Sequence, residues 1–237
     1  MCTRFVYRGN DDVINGFNFD IDRAVWKHKV IFDKDRFYIG IMMPDGEYHS
    51  FHGVNENGNV ATLLYVHGNE NAKREDADKG LTIADLMERF IRAELSFDEV
   101  LAFVETHEVK YAKGATMQGM ISDKRGRVLI IEPGLGFKEE ESPKRYSLMT
   151  NYSLLRPEST SAFLTPGDDR YERAKVLLDE RTGDFSVSDA FSVLKAVRQE
   201  GVWATRVTFV YSEREHSVYC VENNRFGKIE KFAFPEP

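Results

Sequence analysis

The amino-acid sequence predicts an α+β fold, a four-layer αββα sandwich in which two stacked antiparallel sheets are flanked by helix pairs. Two observations favour this fold. Strand-like blocks alternate with two pairs of helices, in the order strands, helix pair, strands, helix pair, strands. In addition, no internal repeat, low-complexity tract or linker rich in proline and glycine divides the 237 residues, so residues 1–237 are expected to form one domain.

The strand blocks are identified by β-branched and aromatic residues that lie between turns. In the first third of the chain, segments such as "TRFVY", "INGFNFD" and "RFYIGIMM" are separated by turn sequences such as "PDGE" and "NENG". Two later blocks have the same character, one before and one after the second helix pair. The segment "GNENAKREDADKG", which precedes the first helix pair, is predicted to be a charged, exposed loop.

The helices are indicated by apolar periodicity and by capping residues. Thr82 is expected to cap the first helix, and Ser96 with Glu99 forms the capping box that starts the second. Gly201 is predicted to end the last helix. The four helices are predicted over residues 82–95, 96–108, 168–181 and 186–201.

The composition excludes several classes of function. With a net charge of −7 and no run of lysine and arginine, the chain is not expected to bind nucleic acid. No apolar stretch is long enough to span a bilayer and the N-terminus lacks a secretory pattern, so we expect no membrane partner and a cytoplasmic location. Cys2 and Cys220 have neither disulfide-framework nor metal-site spacing, so both should be free thiols, with no metal and no organic cofactor.

The cysteine directly behind Met1 has a distinctive potential chemistry. Once Met1 is removed, Cys2 would carry a free α-amine with a reference pKa of ~8 beside a thiol with a reference pKa of ~8.5. Such an amine can act as the general base for its own thiol nucleophile. Attack on an amide carbonyl would then give a thioester, which water would hydrolyse. Considered alone, however, Cys2 is more simply an ordinary small residue near a terminus.

The strand "NGFNFDID" is predicted to present a polar face beside this cysteine. Asn18, Asp20 and Asp22 alternate with apolar residues and should therefore share one side of the strand. A solvated strand face would explain this pattern without any catalytic role. In the functional interpretation, Asp20 lies close to Cys2 and accepts hydrogen bonds from its amine or thiol.

Five short stretches resemble, in the same order, the choloylglycine hydrolase family of linear-amide C–N hydrolases, which includes bile salt hydrolases and penicillin V acylases. The resemblance spans nearly the whole chain and implies an N-terminal nucleophile hydrolase fold. The stretches are "MCTRF", "GFNFD", "NENGNVATLLYV", "MTNYS" and "GDDRYERA".

The resemblance assigns a catalytic role to one residue in each stretch. It implies that Cys2 is the nucleophile and that Asp20 is the catalytic aspartate. Tyr65 and Asn151 fall at the oxyanion site, where a tyrosine is typical of penicillin V acylases, and Arg170 matches the catalytic arginine. Without the resemblance, Tyr65 could be a core residue, Asn151 a turn residue and Arg170 a surface partner of the aspartates before it.

The chain departs from the family at Phe17, where the family strand has an arginine. Loss of that arginine removes a group that would stabilise a thiolate, unless Arg4 or Arg23 compensates. It also makes the neighbourhood of Cys2 more apolar. Phe17 and Asn18 are assigned to substrate binding. The whole chain is also shorter than typical family members, so bile-acid specificity does not transfer.

The segment between Asn151 and Arg170 is brief, whereas tetrameric relatives have a long excursion there that is used in subunit assembly. The resemblance therefore implies that this tetramer contact is absent, although a homo-oligomer of another kind stays possible. Nothing else in the sequence indicates a macromolecular partner. The expected partner is a small-molecule acyl amide substrate.

These observations together predict an N-terminal cysteine amidohydrolase that forms a thioester acyl-enzyme. The scissile bond would be a linear, non-peptide C–N amide, as in an N-acyl amino acid, penicillin V or a bile-salt-like amide. Two alternatives stay open. The same thioester could be transferred to an amine, which would make the protein an acyltransferase. The chain could instead be a catalytically degenerate binding protein on the same fold.

Overall fold

The computed structural model describes residues 2–66, 81–111, 116–141, 144–160, 168–181 and 184–235. The predicted charged loop at residues 68–80 lies outside the described residues, and so does Met1. Among the helices of the described ranges, none combines the length and the apolar character that crossing a bilayer requires.

Strands of the described chain form two antiparallel sheets, because the alternating apolar residues give each sheet a buried face. The first sheet has the order β10-β1-β2-β11-β12-β13, and its strands are β1 (Thr3–Arg8), β2 (Val13–Asp20), β10 (Tyr146–Met149), β11 (Thr205–Ser212), β12 (Ser217–Glu222) and β13 (Glu230–Ala233). The second sheet is a meander in chain order of β3 (His28–Phe32), β4 (Arg36–Met42), β5 (Tyr48–Asn55), β6 (Val60–Tyr65), β7 (Met117–Ser122), β8 (Val128–Glu132) and β9 (Gly136–Glu140).

The helices agree closely with the capping signals in the sequence. As predicted, Thr82 caps the first helix, and Ser96 and Glu99 form the capping box of the second helix. A short helical turn that the sequence did not indicate follows β10, an edge strand of the first sheet. The helices are α1 (Ile83–Ile91), α2 (Phe97–Thr106), α3 (Pro157–Thr160), α4 (Arg170–Asp179) and α5 (Val187–Ala196).

The prediction that Gly201 ends the last helix is wrong. α5 ends at Ala196, and Gly201 lies in the following turn with a φ of 78°. The chain leaves the helix early because Gln199 and Thr205 bond to each other. The Thr205 N–H donates to the Gln199 carbonyl at 3.1 Å, and the Gln199 N–H donates to the Thr205 hydroxyl at 2.8 Å.

The two sheets stack directly on each other, which confirms the four-layer prediction. Phe37 of β4 and Phe209 of β11 meet across this interface, with their ring centroids 5.5 Å apart. α1 packs on the outer face of the seven-stranded sheet with α2 beside it, and α4 and α5 pack on the outer face of the six-stranded sheet. Two apolar cores result, one between the sheets and under α1, the other between the six-stranded sheet and its helices.

Strand register positions Cys2 within the six-stranded sheet, where β1 lies between β10 and β2. Thr3 of β1 lies opposite Asn18 of β2, so Cys2 is next to the end of β2 that carries Asp20. On the other side of β2, Thr205 of β11 lies opposite Asp20. The start of β1, the end of β2 and the start of β11 therefore converge at one edge of the sandwich.

Candidate active site

Cys2 lies at the centre of the candidate site, where Asn151, Asp20 and Arg170 contact it. It precedes β1 and is buried, with only 6% of its surface exposed. The thiol sulfur lies 3.9 Å from the backbone carbonyl oxygen of Asp20, within range of a weak S–H hydrogen bond. Burial raises the pKa of the Cys2 thiol, because a thiolate loses hydration in the protein interior. The thiol is therefore protonated at neutral pH until a base removes its proton.

Asn151 connects the backbone of Cys2 to the opposite sheet. Its side-chain oxygen accepts a hydrogen bond from the Cys2 backbone nitrogen at 2.8 Å, and its side-chain nitrogen donates to the carbonyl of Tyr65. Tyr65 is the last residue of β6, and its own side chain is partly exposed, at 36%. The structure thus brings these three predicted residues together, but through the backbone of Tyr65 and not through its ring.

Arg170 is the first residue of α4 and is buried against the same group of residues. It donates to the Cys2 carbonyl at 2.8 Å and to the Asn151 side-chain oxygen at 2.9 Å. The guanidinium also forms a bidentate ion pair with Asp168, in which Nε and Nη2 each donate a hydrogen bond of 2.8 Å to the carboxylate. Arg170 therefore pairs with Asp168 and also contacts Cys2.

Asp20 also belongs to this group of residues, and its carboxyl has an unusual pKa. Its side chain is buried, lies 3.6 Å from Arg170 and accepts a hydrogen bond of 2.6 Å from the Thr205 hydroxyl. Burial raises the pKa of Asp20 to about 7, although Arg170 and the Thr205 hydrogen bond both act to lower it. Asp20 can therefore change protonation state near neutral pH, unlike an exposed aspartate.

The two residues assigned to substrate binding lie on opposite faces of β2. Phe17 faces the inter-sheet core, where its ring stacks on that of His52 with a centroid distance of 5.4 Å. Asn18 faces the helix layer, where it donates to the Leu194 carbonyl at 2.8 Å and accepts from the Thr208 hydroxyl at 2.8 Å. Because these bonds occupy its amide within the protein, the geometry gives no support to a substrate contact by Asn18.

The predicted row of three polar residues on one strand face is only partly correct. Asn18 and Asp20 do share a face, but β2 ends at Asp20. Asp22 lies in the next turn, where its carboxylate accepts a hydrogen bond from the backbone N–H of Ala24 at 2.8 Å. Aspartate commonly stabilises turns in this way, which explains why the alternation stops.

Neither arginine that the sequence offered as a replacement for the family's arginine places its guanidinium against Cys2. Arg4 lies directly opposite Phe17 in the sheet register and is fully buried, but it donates to Asn15 at 2.5 Å and to Ser122 at 3.0 Å, away from the N-terminus. Arg23 bonds to Asn223 near the protein surface. Arg170 is thus the cation that contacts Cys2 in the described part of the site.

Three further residues support the site, and two of them, Gln118 and Thr205, have no recognisable signal in the sequence. Gln118 of β7 donates to the carbonyls of Thr150 at 2.7 Å and Tyr152 at 3.0 Å, and so holds both neighbours of Asn151. Thr205 holds Asp20, as described above. Asp168, which the sequence suggested only as a surface partner of Arg170, is instead part of the buried arrangement. Within the described residues, no group of three or more histidine, cysteine, aspartate and glutamate side chains could hold a metal ion.

Comparison with known proteins shows similarity in structure but not in sequence. No protein-family model matches the chain, and no curated protein sequence matches it. Among solved structures, a mutant of conjugated bile acid hydrolase from Clostridium perfringens has a TM-score of 0.66 at 14% identity, covering 98% of this chain and 92% of that one. Penicillin V acylase from Agrobacterium tumefaciens has a TM-score of 0.64 at 18% identity, covering 94% and 83%.

A third similar structure is the Caenorhabditis elegans ortholog of N-acylethanolamine-hydrolyzing acid amidase. It has a TM-score of 0.57 at 14% identity and covers 99% of this chain and 100% of that one. These similarities confirm the predicted fold: the chain shares the fold of these three structures. At 14–18% identity, these similarities establish the fold, whereas the function depends on the residues of the site.

Proposed function

We propose that this protein is an N-terminal cysteine amidohydrolase that cleaves a linear, non-peptide C–N amide bond. One observation carries the proposal: the backbone nitrogen and carbonyl of Cys2 are each held by a buried side chain, those of Asn151 and Arg170, with Asp20 beside them. A cysteine that served only as packing near a terminus would not need both of its backbone groups fixed by buried polar side chains. The amide hydrolases that share the fold support the same reaction class.

The proposed first step uses the α-amine that Cys2 gains when Met1 is removed. This amine takes the thiol proton, and the sulfur attacks the carbonyl carbon of the substrate amide. The resulting ammonium then protonates the leaving nitrogen as the C–N bond breaks, which leaves a thioester on Cys2. In the second step, the amine takes a proton from water and the resulting hydroxide attacks the thioester. The acid is released, and the ammonium returns its proton to the thiolate of Cys2.

The surrounding residues have distinct roles in this scheme. Asn151 accepts a hydrogen bond at the nitrogen that becomes an ammonium, which favours the charged form. Its Nδ2 has two hydrogens, so one can reach the substrate oxygen while the other bonds the Tyr65 carbonyl. A backbone N–H near Tyr65 is the second oxyanion donor in this scheme. Asp20 and Arg170 set the charge around the nucleophile.

The test compares the two cysteines of the chain. Intact mass should show that the purified protein lacks Met1, and the protein should release amine from one or more members of a panel of N-acyl amino acids, phenoxyacetyl amides and bile-acid conjugates. Cys2→Ala should abolish this release. Cys220→Ala is the matched control, because Cys220 is also buried but lies on β12 opposite Phe209. Undiminished release by Cys2→Ala would refute the proposal.

A binding protein without catalysis is the second candidate, and two observations favour it. Phe17 occupies the position of the family's arginine, and burial raises the pKa of the Cys2 thiol. A binding protein of this kind should show ordinary thiol reactivity at Cys2 and no burst of leaving group from activated acyl esters. A burst with one equivalent of leaving group per chain would exclude it.

A further inference from the structure

A β-bulge in β11 brings a threonine onto the same face as Asp20. The pairing of β11 with β2 shifts by one residue between Thr205 and Val207, so Thr205 lies opposite Asp20 while Thr208 lies opposite Asn18. In a regular strand, residues three positions apart face opposite sides of the sheet. The extra residue of the bulge turns Thr205 to the face of Thr208, and bulges commonly re-aim side chains in this way.

The hydroxyl of Thr205 has a fixed hydrogen-bond direction. It accepts from the Gln199 N–H at 2.8 Å and lies 2.6 Å from Oδ1 of Asp20, and the residue is buried. Because the Gln199 N–H occupies one side of the hydroxyl oxygen, the hydroxyl proton is directed toward Asp20. A hydroxyl held in this way donates to the aspartate oxygen and so favours the unprotonated oxygen.

We propose that Thr205 is a positioning residue that keeps Asp20 ionised and oriented toward Arg170 and the amine of Cys2. The inference rests on the proposed function, since Asp20 matters for turnover only if Cys2 is the nucleophile. The charged or titratable groups around Asp20 are the α-amino terminus, Arg170 from α4 at 3.6 Å, Asp168 next to that arginine, and the Cys2 thiol, whose sulfur lies 3.9 Å from the Asp20 backbone carbonyl.

Loss of the Thr205 hydroxyl should make Asp20 easier to protonate. Burial already drives Asp20 toward its neutral form, and Thr205 is one of the few groups that oppose this. If hydrolysis needs ionised Asp20, activity falls when the pH drops through the pKa of Asp20. Removing the donor should then move this acid limb to higher pH, with less effect on activity well above it.

The test is the pH profile of kcat for Thr205→Val, Thr205→Ser and Thr208→Val. A hydrogen bond to a charged group corresponds to a shift of about one to two pH units, so the acid limb of Thr205→Val should rise by that amount. Thr205→Ser keeps the hydroxyl and should retain the wild-type limb. Thr208→Val is the matched control, because it removes a buried hydroxyl from the same strand face without touching Asp20. An unmoved limb in Thr205→Val overturns the inference.

A second measurement separates this inference from the proposed function. The Asp20 carboxyl carbon can be titrated by NMR after specific labelling, with Asp20→Asn to assign the signal, and this needs no enzymatic activity. The Asp20 pKa should be higher in Thr205→Val than in wild type, and Thr205→Ala can replace Thr205→Val if the valine variant does not fold. Equal pKa values in wild type and variant contradict the role of Thr205, whether or not the protein hydrolyses amides. Failure of Cys2→Ala to reduce turnover instead rejects the proposed function.

Discussion

Asn151 accepts a hydrogen bond from the backbone nitrogen of Cys2 at 2.8 Å, although the two residues are 149 positions apart in the chain. The position of the N-terminus is therefore set by a residue that follows the edge strand of the same sheet. Arg170 reinforces this contact because it bonds both residues. Substitutions in this group of residues give separate predictions for rate, stability and pH dependence.

Asn151→Asp should lower kcat by about 10²- to 10³-fold, the usual effect of losing one oxyanion donor. Aspartate keeps an acceptor for the Cys2 nitrogen but cannot donate to the Tyr65 carbonyl or to a substrate oxygen. Asn55→Asp is the matched control, because Asn55, the last residue of β5, is also buried and uses its Oδ1 as an acceptor and its Nδ2 as a donor, both in bonds to residues outside the candidate site. A similar kcat loss in both variants would contradict the assignment of Asn151.

Arg170→Ala should lower the free energy of unfolding by about 3–5 kcal/mol at neutral pH. The substitution leaves Asp168 and Asp20 without their buried cation, and buried charges are costly when they are unpaired. Arg173→Ala, one turn later on α4, removes an exposed pair with Asp169 and an exposed hydrogen bond to the Ala196 carbonyl, and should have little effect. Urea denaturation of both variants measures the difference, and equal stabilities would show that the Arg170 pairs contribute no more than a surface contact.

Asp20 should make the protein less stable as the pH rises from about 4 to about 7. Burial raises its pKa to about 7, whereas an aspartate in the unfolded chain has a pKa of ~3.9. Between these values the folded protein binds a proton that the unfolded chain has lost, so the free energy of unfolding falls with rising pH.

Asp20→Asn cannot titrate and should not show this decline. Wild type should therefore lose stability relative to the variant across that pH range and then change no further at higher pH. Urea unfolding of the two proteins at several pH values gives the comparison. A stability difference that stays constant through the range would mean that Asp20 is ionised throughout in the folded protein.

Phe17→Arg should fail to restore the family's site and should instead destabilise the protein. Phe17 is completely buried and packs against His52 and Phe209, so an arginine there would be a buried charge among aromatic rings. We expect a loss of at least about 3 kcal/mol, as for an uncompensated buried charge. Phe17→Leu should cost less, because it keeps the site apolar. A Phe17→Arg variant with wild-type stability and faster hydrolysis would disprove this explanation.

The order of helices and strands could be predicted from the sequence because local signals determine it. β2 alternates apolar and polar residues, and α1 and α2 start at capping boxes whose hydrogen bonds form within four residues. The end of α5 could not be predicted in the same way. It depends on the paired hydrogen bonds between Gln199 and Thr205, which a glycine at position 201 does not reveal.

The convergence of the candidate site was predicted only through motif resemblance. The spacing of Asn151 and Arg170 in the sequence does not show that both residues contact Cys2. These contacts depend on how β10 and α4 pack against β1. Thr205 was missed because a β-bulge turns it toward Asp20, and a bulge leaves no regular periodicity to detect. The substrate role of Asn18 was predicted without knowledge of α5. The Leu194 carbonyl of that helix accepts a hydrogen bond from the Asn18 side-chain amide.

The most direct test of the central claim is peptide-mapped mass spectrometry of a reaction quenched during turnover of a slowly hydrolysed acyl amide. Burial also raises the pKa of the Cys220 thiol, so that cysteine should not compete as a nucleophile. We predict an N-terminal peptide that lacks Met1 and carries the acyl group on Cys2, with Cys220 unmodified. Turnover without an acylated Cys2, or by protein that retains Met1, would contradict the account.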